Sequence, residues 1–321
     1  MHALIQSGDA LGWDEVPAPT PGPGEIRMRV RAAGVNHADL HQLDGSYPAP
    51  PGASRILGLE VAGEVDATGP GVQANVGDRV CALLSGGGYA EYVVCPAEHT
   101  LPTPEGMADI EAATLPEALT TAWLNLAIEG ALGPGERALV HAGGSGVGTM
   151  ATQLCALRGN PCFVTVGSPA KLTRSLALGA NAGANRHDGR WLDTVKSWSP
   201  GGVDVVLDPV GGGYLDDNLR ALTVGGRLVL IGILGGRTDT LDLGRLLVRR
   251  LRIVGSVLRS RSGAEKAALL RRILGDVWLP LVGTGRLRPV VDRVFDVRCG
   301  GDALALLRGG LTFGKLVLRF P

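Results

Sequence analysis

The sequence has little that would direct the chain to a membrane or to nucleic acid. Aromatic residues make up 4% of its 321 residues, and its formal net charge is zero. A neutral chain lacks the broad basic surface that would bind nucleic acids or anionic membranes. It also has no uncharged apolar run of about 18 residues, so the sequence predicts no membrane-spanning helix.

Signals for secretion and for disulfide formation are also lacking. The stretch "MHALIQSGDALGWDE" at the start of the sequence has no signal-peptide pattern, and none of the five cysteines is in C-x-x-C spacing. An odd number of cysteines favours reduced thiols. We therefore expect a cytoplasmic protein with buried cysteines that take no part in the chemistry.

Two kinds of hydrophobic pattern divide the chain. In the first part, short runs alternate between apolar and polar residues, as in "EIRMRVRAAGV", and Gly and Pro separate them. This pattern is typical of an antiparallel, barrel-like β domain. From near Leu115, unbroken apolar strands alternate with helices, as in "CFVTVGSPAKLTRSLALGA". Such repeats predict a parallel, doubly wound sheet.

The end of the sequence predicts how these two parts are connected. We expect "LRIVGSVLRS" to be an edge strand of the parallel sheet and "GKLVLRF" to return to the β domain. The predicted fold class is therefore α/β, with a doubly wound (Rossmann) domain inserted in a barrel-like β domain. Residues 118–259 would form the inserted domain, and residues 1–117 and 260–321 the β domain.

A glycine-rich loop, "HAGGSGVG", stands between an apolar strand and an apolar helix. A phosphate-binding P-loop would need a lysine after Gly148, where Thr149 stands. A nucleophile elbow would need glycine at Val147. The loop fits a dinucleotide fingerprint, G-x-G-x-x-G, with Ser145 as the middle residue. Gly143 would make the turn, and the amides of Gly146 and Val147 would face a pyrophosphate.

The end of the next strand indicates which dinucleotide binds. An Asp or Glu there would bind the ribose of NAD, but "TVGSPAKLTR" has no acid. Ser168, Lys171 and Arg174 follow instead, and Arg186 is expected at the end of the third strand. These groups would attract a 2′-phosphate, so the sequence predicts NADPH rather than NADH. The alternative is that they are ordinary exposed helix residues.

Several motifs together resemble a known family. "GVNHADL", "GSYPAPPGASRILGLEVAGEV", "GGGYAEY", "HAGGSGVG" and "GKLVL" occur in the same order as in the zinc-independent quinone oxidoreductases. These are zeta-crystallin-like members of the medium-chain dehydrogenase/reductase superfamily. "VLRSR" adds a likeness to the p53-inducible members. The resemblance covers nearly the whole chain, and it implies that the β domain is GroES-like.

The resemblance also implies a site between the two domains. On the β domain it would include Asn36, Asp39 and Tyr47 as catalytic residues, near Leu57, with Lys315 as a weaker candidate. Its coenzyme contacts would be Asn36, Thr121, Gly143, Ser145, Gly146, Val147, Ser168, Lys171, Arg186, Gly232, Leu234 and Leu258. The loops 208–211 and 232–236 would flank the nicotinamide.

No metal is expected. Zinc-bearing relatives have a cysteine ligand in the position of Asn36 and a histidine in that of Leu59, and neither replacement binds zinc in the same way. His37 and His41 have i, i+4 spacing but no evident third ligand. NADPH would then supply a hydride to an acceptor that is already electrophilic, and the product would take protons from solvent or a nearby donor.

Other interpretations remain open. Asn36 would merely satisfy a turn, Asp39 would cap a helix, Tyr47 would shield the cleft, and Glu60 would pair with an arginine. The motif "GSYP" fits a quinone reductase and a 2-enoyl thioester (enone) reductase equally well, so the substrate is expected to be a quinone or an enone. A third possibility is an NADPH-binding sensor or structural protein with little turnover. Because relatives pair edge strands, we expect a homodimer built through "RRLRIVGSVL".

Overall fold

The chain is described by a computed structural model that covers residues 1–8 and 10–321. It forms two compact units. The first, which we call the β unit, comprises Met1–Thr120 and Leu258–Pro321. The second, the α/β unit, comprises Thr121–Val257. Among the helices of the described residues, none is both long and apolar enough to cross a membrane.

The elements of both units are numbered in chain order. The strands are β1 (His2–Ser7), β2 (Ala10–Glu15), β3 (Glu25–Val35), β4 (Glu60–Thr68), β5 (Arg79–Leu83), β6 (Tyr92–Pro96), β7 (Thr100–Pro102), β8 (Ala138–Val140), β9 (Cys162–Val166), β10 (Ala182–Asn185), β11 (Val203–Asp208), β12 (Leu222–Leu230), β13 (Arg252–Gly255), β14 (Val291–Asp296) and β15 (Lys315–Arg319).

The α-helices are α1 (His37–Leu43), α2 (Asp109–Ala112), α3 (Pro116–Trp123), α4 (Gly146–Arg158), α5 (Pro169–Ala177), α6 (Trp191–Trp198), α7 (Leu215–Ala221), α8 (Leu243–Val248), α9 (Gly263–Ile273) and α10 (Gly300–Arg308). Two π-helical segments, Leu124–Glu129 and Leu274–Val282, continue α3 and α9. Short 3₁₀ turns lie at Ala97–His99 and Val297–Cys299.

The β unit is built on a seven-stranded sheet in the order β14-β15-β3-β4-β5-β7, with β6 also paired to β3. The alternation read in "EIRMRVRAAGV" is seen in β3, where Ile26, Met28 and Val30 are buried in the core. Strand β15 pairs antiparallel with β3, which confirms that "GKLVLRF" returns to the β domain. One difference from the expected antiparallel sheet is that β14 and β15 are parallel.

The α/β unit is a parallel sheet in the order β10-β9-β8-β11-β12-β13. Counted from β8, this is the order 3-2-1-4-5-6 of the Rossmann fold. Its central strands are buried because helices cover both faces, so they read as continuous apolar runs. The strand order reverses between β8 and β11, where such sheets bind ligands at the carboxyl ends of the strands.

The predicted fold class is confirmed, and so is the position of "RRLRIVGSVL" at the edge of the sheet. In the described part of the chain, β13 pairs with β12 on one side and has no strand on the other. The cysteines are free thiols; Cys81, Cys95, Cys155 and Cys162 are buried, whereas Cys299 is exposed.

Candidate functional site

The glycine-rich loop joins β8 to α4 at the point where the strand order reverses. A Cβ at Gly143 would lie 2.7 Å from the Val164 Cβ, and one at Gly148 would lie 2.4 Å from the Ala142 carbonyl oxygen. Only glycine therefore permits this close packing of loop, strand and helix. Ala142 itself has a φ of +52°, a conformation that residues other than glycine rarely adopt.

Ser145 is the N-cap of α4, and its hydroxyl accepts a hydrogen bond from the Gly148 N–H at 3.0 Å. The first N–H groups of a helix have no acceptor within the helix, and here these belong to Gly146 and Val147. The Ser145 hydroxyl still has a proton to donate. Together these groups form an anion-binding helix terminus of the kind that holds a pyrophosphate.

Arg186 and the first turn of α5 lie at the end of β9. The guanidinium of Arg186 packs against Gly167, where a Cβ would lie 3.4 Å from the Arg186 Cζ. Ser168 caps α5 and accepts the Lys171 N–H at 3.3 Å. The structure therefore places Ser168, the backbone of Lys171 and the Arg186 guanidinium at one strand end. Arg174 lies on the last turn of α5 and is exposed.

A buried polar chain supports the loops at this edge of the sheet. His141 Nδ1 lies 2.8 Å from Thr165 Oγ1, and its Nε2 lies 2.7 Å from Asn218 Oδ1. Asn218 Nδ2 donates to Asp208 at 2.9 Å. Burial lowers the pKa of His141 to about 4, so the ring is neutral at pH 7. Trp191 packs edge-on against the imidazole.

Asp208 in turn holds the loop that follows β11. Its carboxylate accepts the N–H of Val210 at 2.6 Å and that of Gly211 at 3.2 Å. Burial raises the pKa of Asp208 to about 6, although these hydrogen bonds oppose the shift. The sequence marked this loop as a nicotinamide neighbour but did not reveal the His141–Asn218–Asp208 chain beneath it.

The loops after β11 and β12 are joined by their backbones. The Leu234 N–H donates to the Pro209 carbonyl at 3.1 Å, and the Gly236 carbonyl accepts the Gly212 N–H at 3.0 Å. A Cβ at Gly232 would lie 2.7 Å from the Pro209 oxygen, so glycine is required there. Leu234 is 50% exposed and is therefore available to contact a ligand.

In the β unit, Asp39 is an interior structural group. It is 1% exposed, and its carboxylate accepts hydrogen bonds from the Tyr89 hydroxyl at 2.8 Å, the Asn36 N–H at 2.8 Å and the Gly58 N–H at 3.1 Å. Burial raises the pKa of Asp39, and these three bonds oppose the rise. The contacts make Asp39 the N3 residue of a capping box whose N-cap is Asn36, which favours the structural interpretation over the catalytic one.

Asn36 and Lys315 belong to a second buried group, centred on Glu60. Lys315 Nζ lies 2.5 Å from Glu60 Oε1 and donates to Asn36 Oδ1 at 2.6 Å and to the Val35 carbonyl at 2.8 Å. Asn36 Nδ2 donates to Glu60 at 3.1 Å, so both ends of the amide are fixed. The expectation that Glu60 pairs with an arginine was wrong, because the C-terminal strand places a lysine there.

Tyr47 is held by a buried arginine that the sequence analysis had not singled out. Arg259 lies over the Tyr47 ring, 5.4 Å from its centroid, and donates to the Tyr47 carbonyl at 3.4 Å, to Gln42 at 2.5 Å and to the Ser85 carbonyl at 3.0 Å. Arg259 is 3% exposed, although arginine side chains are mostly exposed in proteins. Tyr47 itself is partly exposed.

Two further charged residues near Tyr47 were also missed. Lys266 is buried and donates to Ser85 Oγ at 2.6 Å and to the Arg259 carbonyl at 2.7 Å. Glu117 lies in the first turn of α3, where its N–H donates to Glu60 Oε2 at 2.8 Å. In the sequence, Glu117 looks like any acid in the first turn of a helix, so only the tertiary packing reveals it.

Other predicted contacts are located as follows. Leu57 is buried in the core of the β unit, and Leu258 is buried at the start of that unit's second segment. Thr121 is partly exposed on α3, one turn after Glu117, and its carbonyl accepts the Asn125 side chain at 2.8 Å. His41 Nδ1 lies 3.3 Å from Ser46 Oγ.

Two family models match the chain. Residues 22–105 match the alcohol dehydrogenase GroES-like domain, and residues 146–274 match zinc-binding dehydrogenase. The second description names zinc, but the donor set does not fit that metal. Asn36 offers a neutral amide that already binds the Lys315 ammonium, and Leu59 offers no donor. In the described part of the chain, no three His, Cys, Asp or Glu side chains are grouped to hold a metal.

Similar solved structures cover the whole fold. The quinone oxidoreductase from Thermus thermophilus, solved also in complex with NADPH, is 34% identical with a TM-score of 0.84, and the match covers 99% of this chain and 100% of that one. The CurK enoyl reductase is 28% identical with a TM-score of 0.86, over 100% of this chain and 98% of that one.

Curated relatives include long and short proteins. The chain is 35% identical to polyketide synthase GfsB of Streptomyces halstedii over 97% of its own length, but spans only 5% of that protein. It is 33% identical to the human synaptic vesicle membrane protein VAT-1 homolog over 99% of this chain and 86% of that protein. On this similarity along nearly its full length, the chain belongs to the medium-chain dehydrogenase/reductase superfamily of oxidoreductases.

Proposed function

We propose that this chain is an NADPH-dependent reductase that reduces quinones without zinc. The choice of coenzyme depends on the residues at the end of β9. There Arg186 packs against Gly167, next to Ser168 and Lys171, and the segment after the strand has no Asp or Glu to bind a ribose hydroxyl. The quinone as acceptor is supported by the 34% identity to the Thermus quinone oxidoreductase over 99% of the chain.

The residues of the α/β unit fit NADPH. The N-terminus of α4, with the amides of Gly146 and Val147 and the Ser145 hydroxyl, would hold the pyrophosphate. Lys171 and Arg186 would pair with the 2′-phosphate. The Asp208 loop and Leu234 would hold the nicotinamide ring. When bound, the coenzyme supplies the hydride, and the protein contributes orientation and the exclusion of water.

In the β unit, the acceptor would lie near Asn36 and Tyr47. Lys315 and Glu60 fix the Asn36 amide, so its orientation does not change when a ligand arrives. Arg259 holds the Tyr47 backbone and stacks on its ring. The Tyr47 hydroxyl is thus pre-positioned to donate a hydrogen bond to a quinone oxygen, whereas the two Asn36 Nδ2 protons already meet Glu60 and the Gly34 carbonyl.

A second candidate is a 2-enoyl thioester reductase. It is favoured by Gly45-Ser46-Tyr47-Pro48, which holds a partly exposed tyrosine, and by the similarity to the CurK enoyl reductase. A third candidate, an NADPH-binding protein with little turnover, would share the same coenzyme contacts.

A panel of acceptors separates these candidates. We expect NADPH to be oxidised rapidly with 1,4-benzoquinone or 9,10-phenanthrenequinone and slowly with crotonyl-CoA. The reverse ranking would favour the enoyl reductase, and tight NADPH binding without turnover on any acceptor would favour the third candidate.

The coenzyme preference is tested separately with Arg186→Ala. Losing one charge-assisted contact should raise the KM for NADPH by about 10-fold or more, with little change for NADH. Lys196→Ala, an exposed cation on α6, is the matched control. Equal KM values for NADPH and NADH in the wild type would contradict the coenzyme choice.

The proposal includes a homodimer formed through β13. This strand has an open edge in the described sheet, and α8, which directly precedes it, exposes Leu243, Leu247 and Val248. A second copy paired along β13 would cover the edge and bury apolar surface. A cytoplasmic location remains an expectation from the sequence.

A further inference from the structure

A surface pocket of the α/β unit is lined by cationic side chains. It has a volume of about 380 Å³, and its lining consists of Lys196, Arg220, Arg245 and Arg249. Pockets that bind small molecules have volumes of about 300–1,000 Å³ and are usually lined by apolar groups with a few polar ones. A concave surface that carries charges of one sign concentrates the electric field and attracts ions of the opposite sign. The lining therefore indicates an anion.

Two acidic side chains balance part of this charge. Arg220 Nε lies 2.8 Å from Asp216 Oδ2, and Arg245 Nη1 lies 3.5 Å from the other oxygen of the same carboxylate. Arg245 Nη2 lies 3.4 Å from Asp242 Oδ2. Asp216 thus links α7 to α8 and orients both arginines. The two aspartates are about half exposed, so these ion pairs contribute little to stability.

The other two cations of the lining have no acidic partner among the residues that the structure describes. Arg249 donates from Nη2 to the Leu222 carbonyl at 2.8 Å, but within residues 1–8 and 10–321 its buried Nε has no hydrogen-bond partner. Leaving a buried donor unpaired costs free energy. Lys196 is exposed. Four cations and two acids leave an excess of two positive charges in this described part of the surface.

The pocket lies at the amino-terminal edge of the parallel sheet. Lys196 and Arg220 are in the last turns of α6 and α7, Arg249 directly follows α8, and these helices lead into β11, β12 and β13. The glycine loop is at the opposite edge, about 20 Å away along the six residues of β11. Cations are favoured near helix C-termini, which explains each residue singly but not their convergence on one pocket.

The pocket uses a different face of α8 from the proposed dimer. Arg245 and Arg249 are four residues apart and therefore lie above one another. Leu247, which is 78% exposed, is two residues from Arg245 and so points about 200° around the helix from it. Two copies paired along β13 would bury the leucine face and leave the arginine face to bind a ligand.

We propose that this pocket binds a phosphoryl dianion, either free phosphate or the phosphate of a small monoester. A phosphate monoester carries a charge of about −1.5 to −2 at pH 7, which matches the excess of two positive charges. Three of the four lining residues are arginines, whose planar guanidinium groups bind phosphate oxygens through paired hydrogen bonds. This inference does not depend on the coenzyme or on the acceptor.

Isothermal titration calorimetry of the full chain tests the proposal. Saturating NADP⁺ is present, so that phosphate does not bind at the coenzyme site. Glucose 6-phosphate or inorganic phosphate should bind with a dissociation constant below about 1 mM, and added NaCl should weaken the binding, whereas glucose should not bind. Tighter binding of glucose 6-phosphate would identify a monoester as the ligand, and equal affinities would identify free phosphate. Failure of both phosphates to bind would overturn the proposal.

Variants show whether the phosphate binds in this pocket. Arg220→Gln combined with Arg245→Gln removes two cations whose acidic partners are exposed, so the fold should persist, as circular dichroism can verify. The double variant should raise the dissociation constant by at least about 10-fold. Arg158→Gln, which changes an exposed cation of the same unit outside the lining, and Arg186→Ala should bind phosphate like the wild type. Unchanged binding in the double variant, or lost binding in Arg186→Ala, would place the anion elsewhere and refute the site.

Discussion

Lys315→Met tests the buried group around Glu60. The substitution keeps most of the apolar stem of the side chain and removes only the ammonium. Lys315 is 5% exposed and Glu60 is completely buried, so water cannot replace the lost partner. The Glu60 carboxylate would keep its hydrogen bonds from Asn36 Nδ2 and the Glu117 N–H but would lose its counter-charge.

The magnitude follows from this geometry. Breaking a buried ion pair by removing one partner costs about 3–5 kcal/mol in the free energy of unfolding, because it leaves an uncompensated charge. Replacing both partners by neutral groups is often close to neutral. The double variant with Glu60→Gln should therefore recover more than half of the loss caused by Lys315→Met alone.

Urea unfolding at pH 7, followed by circular dichroism and by tryptophan fluorescence, measures the effect. Because the chain has two units, the two signals are fitted with separate transitions where they do not coincide. Lys196→Met, an exposed lysine of the α/β unit, should change stability by less than about 0.5 kcal/mol. A loss below about 1 kcal/mol for Lys315→Met, or a double variant no more stable than the single one, would refute the reasoning.

Two further predictions concern the α/β unit. Burial lowers the pKa of His141 in the folded chain to about 4, below its ordinary value of 6.5, so the unfolded chain binds the proton first as pH falls. The free energy of unfolding should therefore drop between pH 7 and pH 5. We expect the drop to be larger in the wild type than in His141→Gln by up to about 2 kcal/mol. Equal drops in urea titrations at the two pH values would contradict this. For the dimer, Leu247→Glu should shift light-scattering mass at micromolar concentration toward the monomer, whereas Leu311→Glu in the β unit, where the leucine is also 78% exposed, should not. A monomeric wild type would remove the dimer proposal.

Much of the fold could be predicted because hydrophobic patterns within short segments indicate its strands and helices. The alternation in β3 and the apolar runs of β8, β9 and β11 each depend on which faces of a strand are covered. The glycine loop could be placed because the steric need for Gly143 and Gly148 arises within one strand–loop–helix segment. Pairing β14 parallel to β15 had no local signal, because it depends on a connection through α10.

The charged groups of the β unit depend on contacts between distant segments. Lys315 donates to the carbonyl of Val35, 280 residues earlier in the chain, and Arg259 binds Gln42, 217 residues away. The spacing of residues along the sequence does not predict contacts between such distant segments. Arginine and lysine are usually exposed, so "VLRSR" and the start of α9 read as surface, whereas Arg259 and Lys266 are both 3% exposed.

The position of Lys315 gives a physical reason for the zinc-independent interpretation beyond missing ligands. Where the resemblance puts a zinc-bound cysteine, this chain has Asn36, whose side-chain oxygen already accepts a hydrogen bond from the Lys315 ammonium. That ammonium also contacts Glu60, so the local carboxylate charge is already balanced by a cation that belongs to the chain. A divalent ion at the same place would face a positive charge and a neutral amide, a poor donor set for zinc. The same lysine that would repel a divalent ion at this place also fixes the amide, which couples the two effects in one residue.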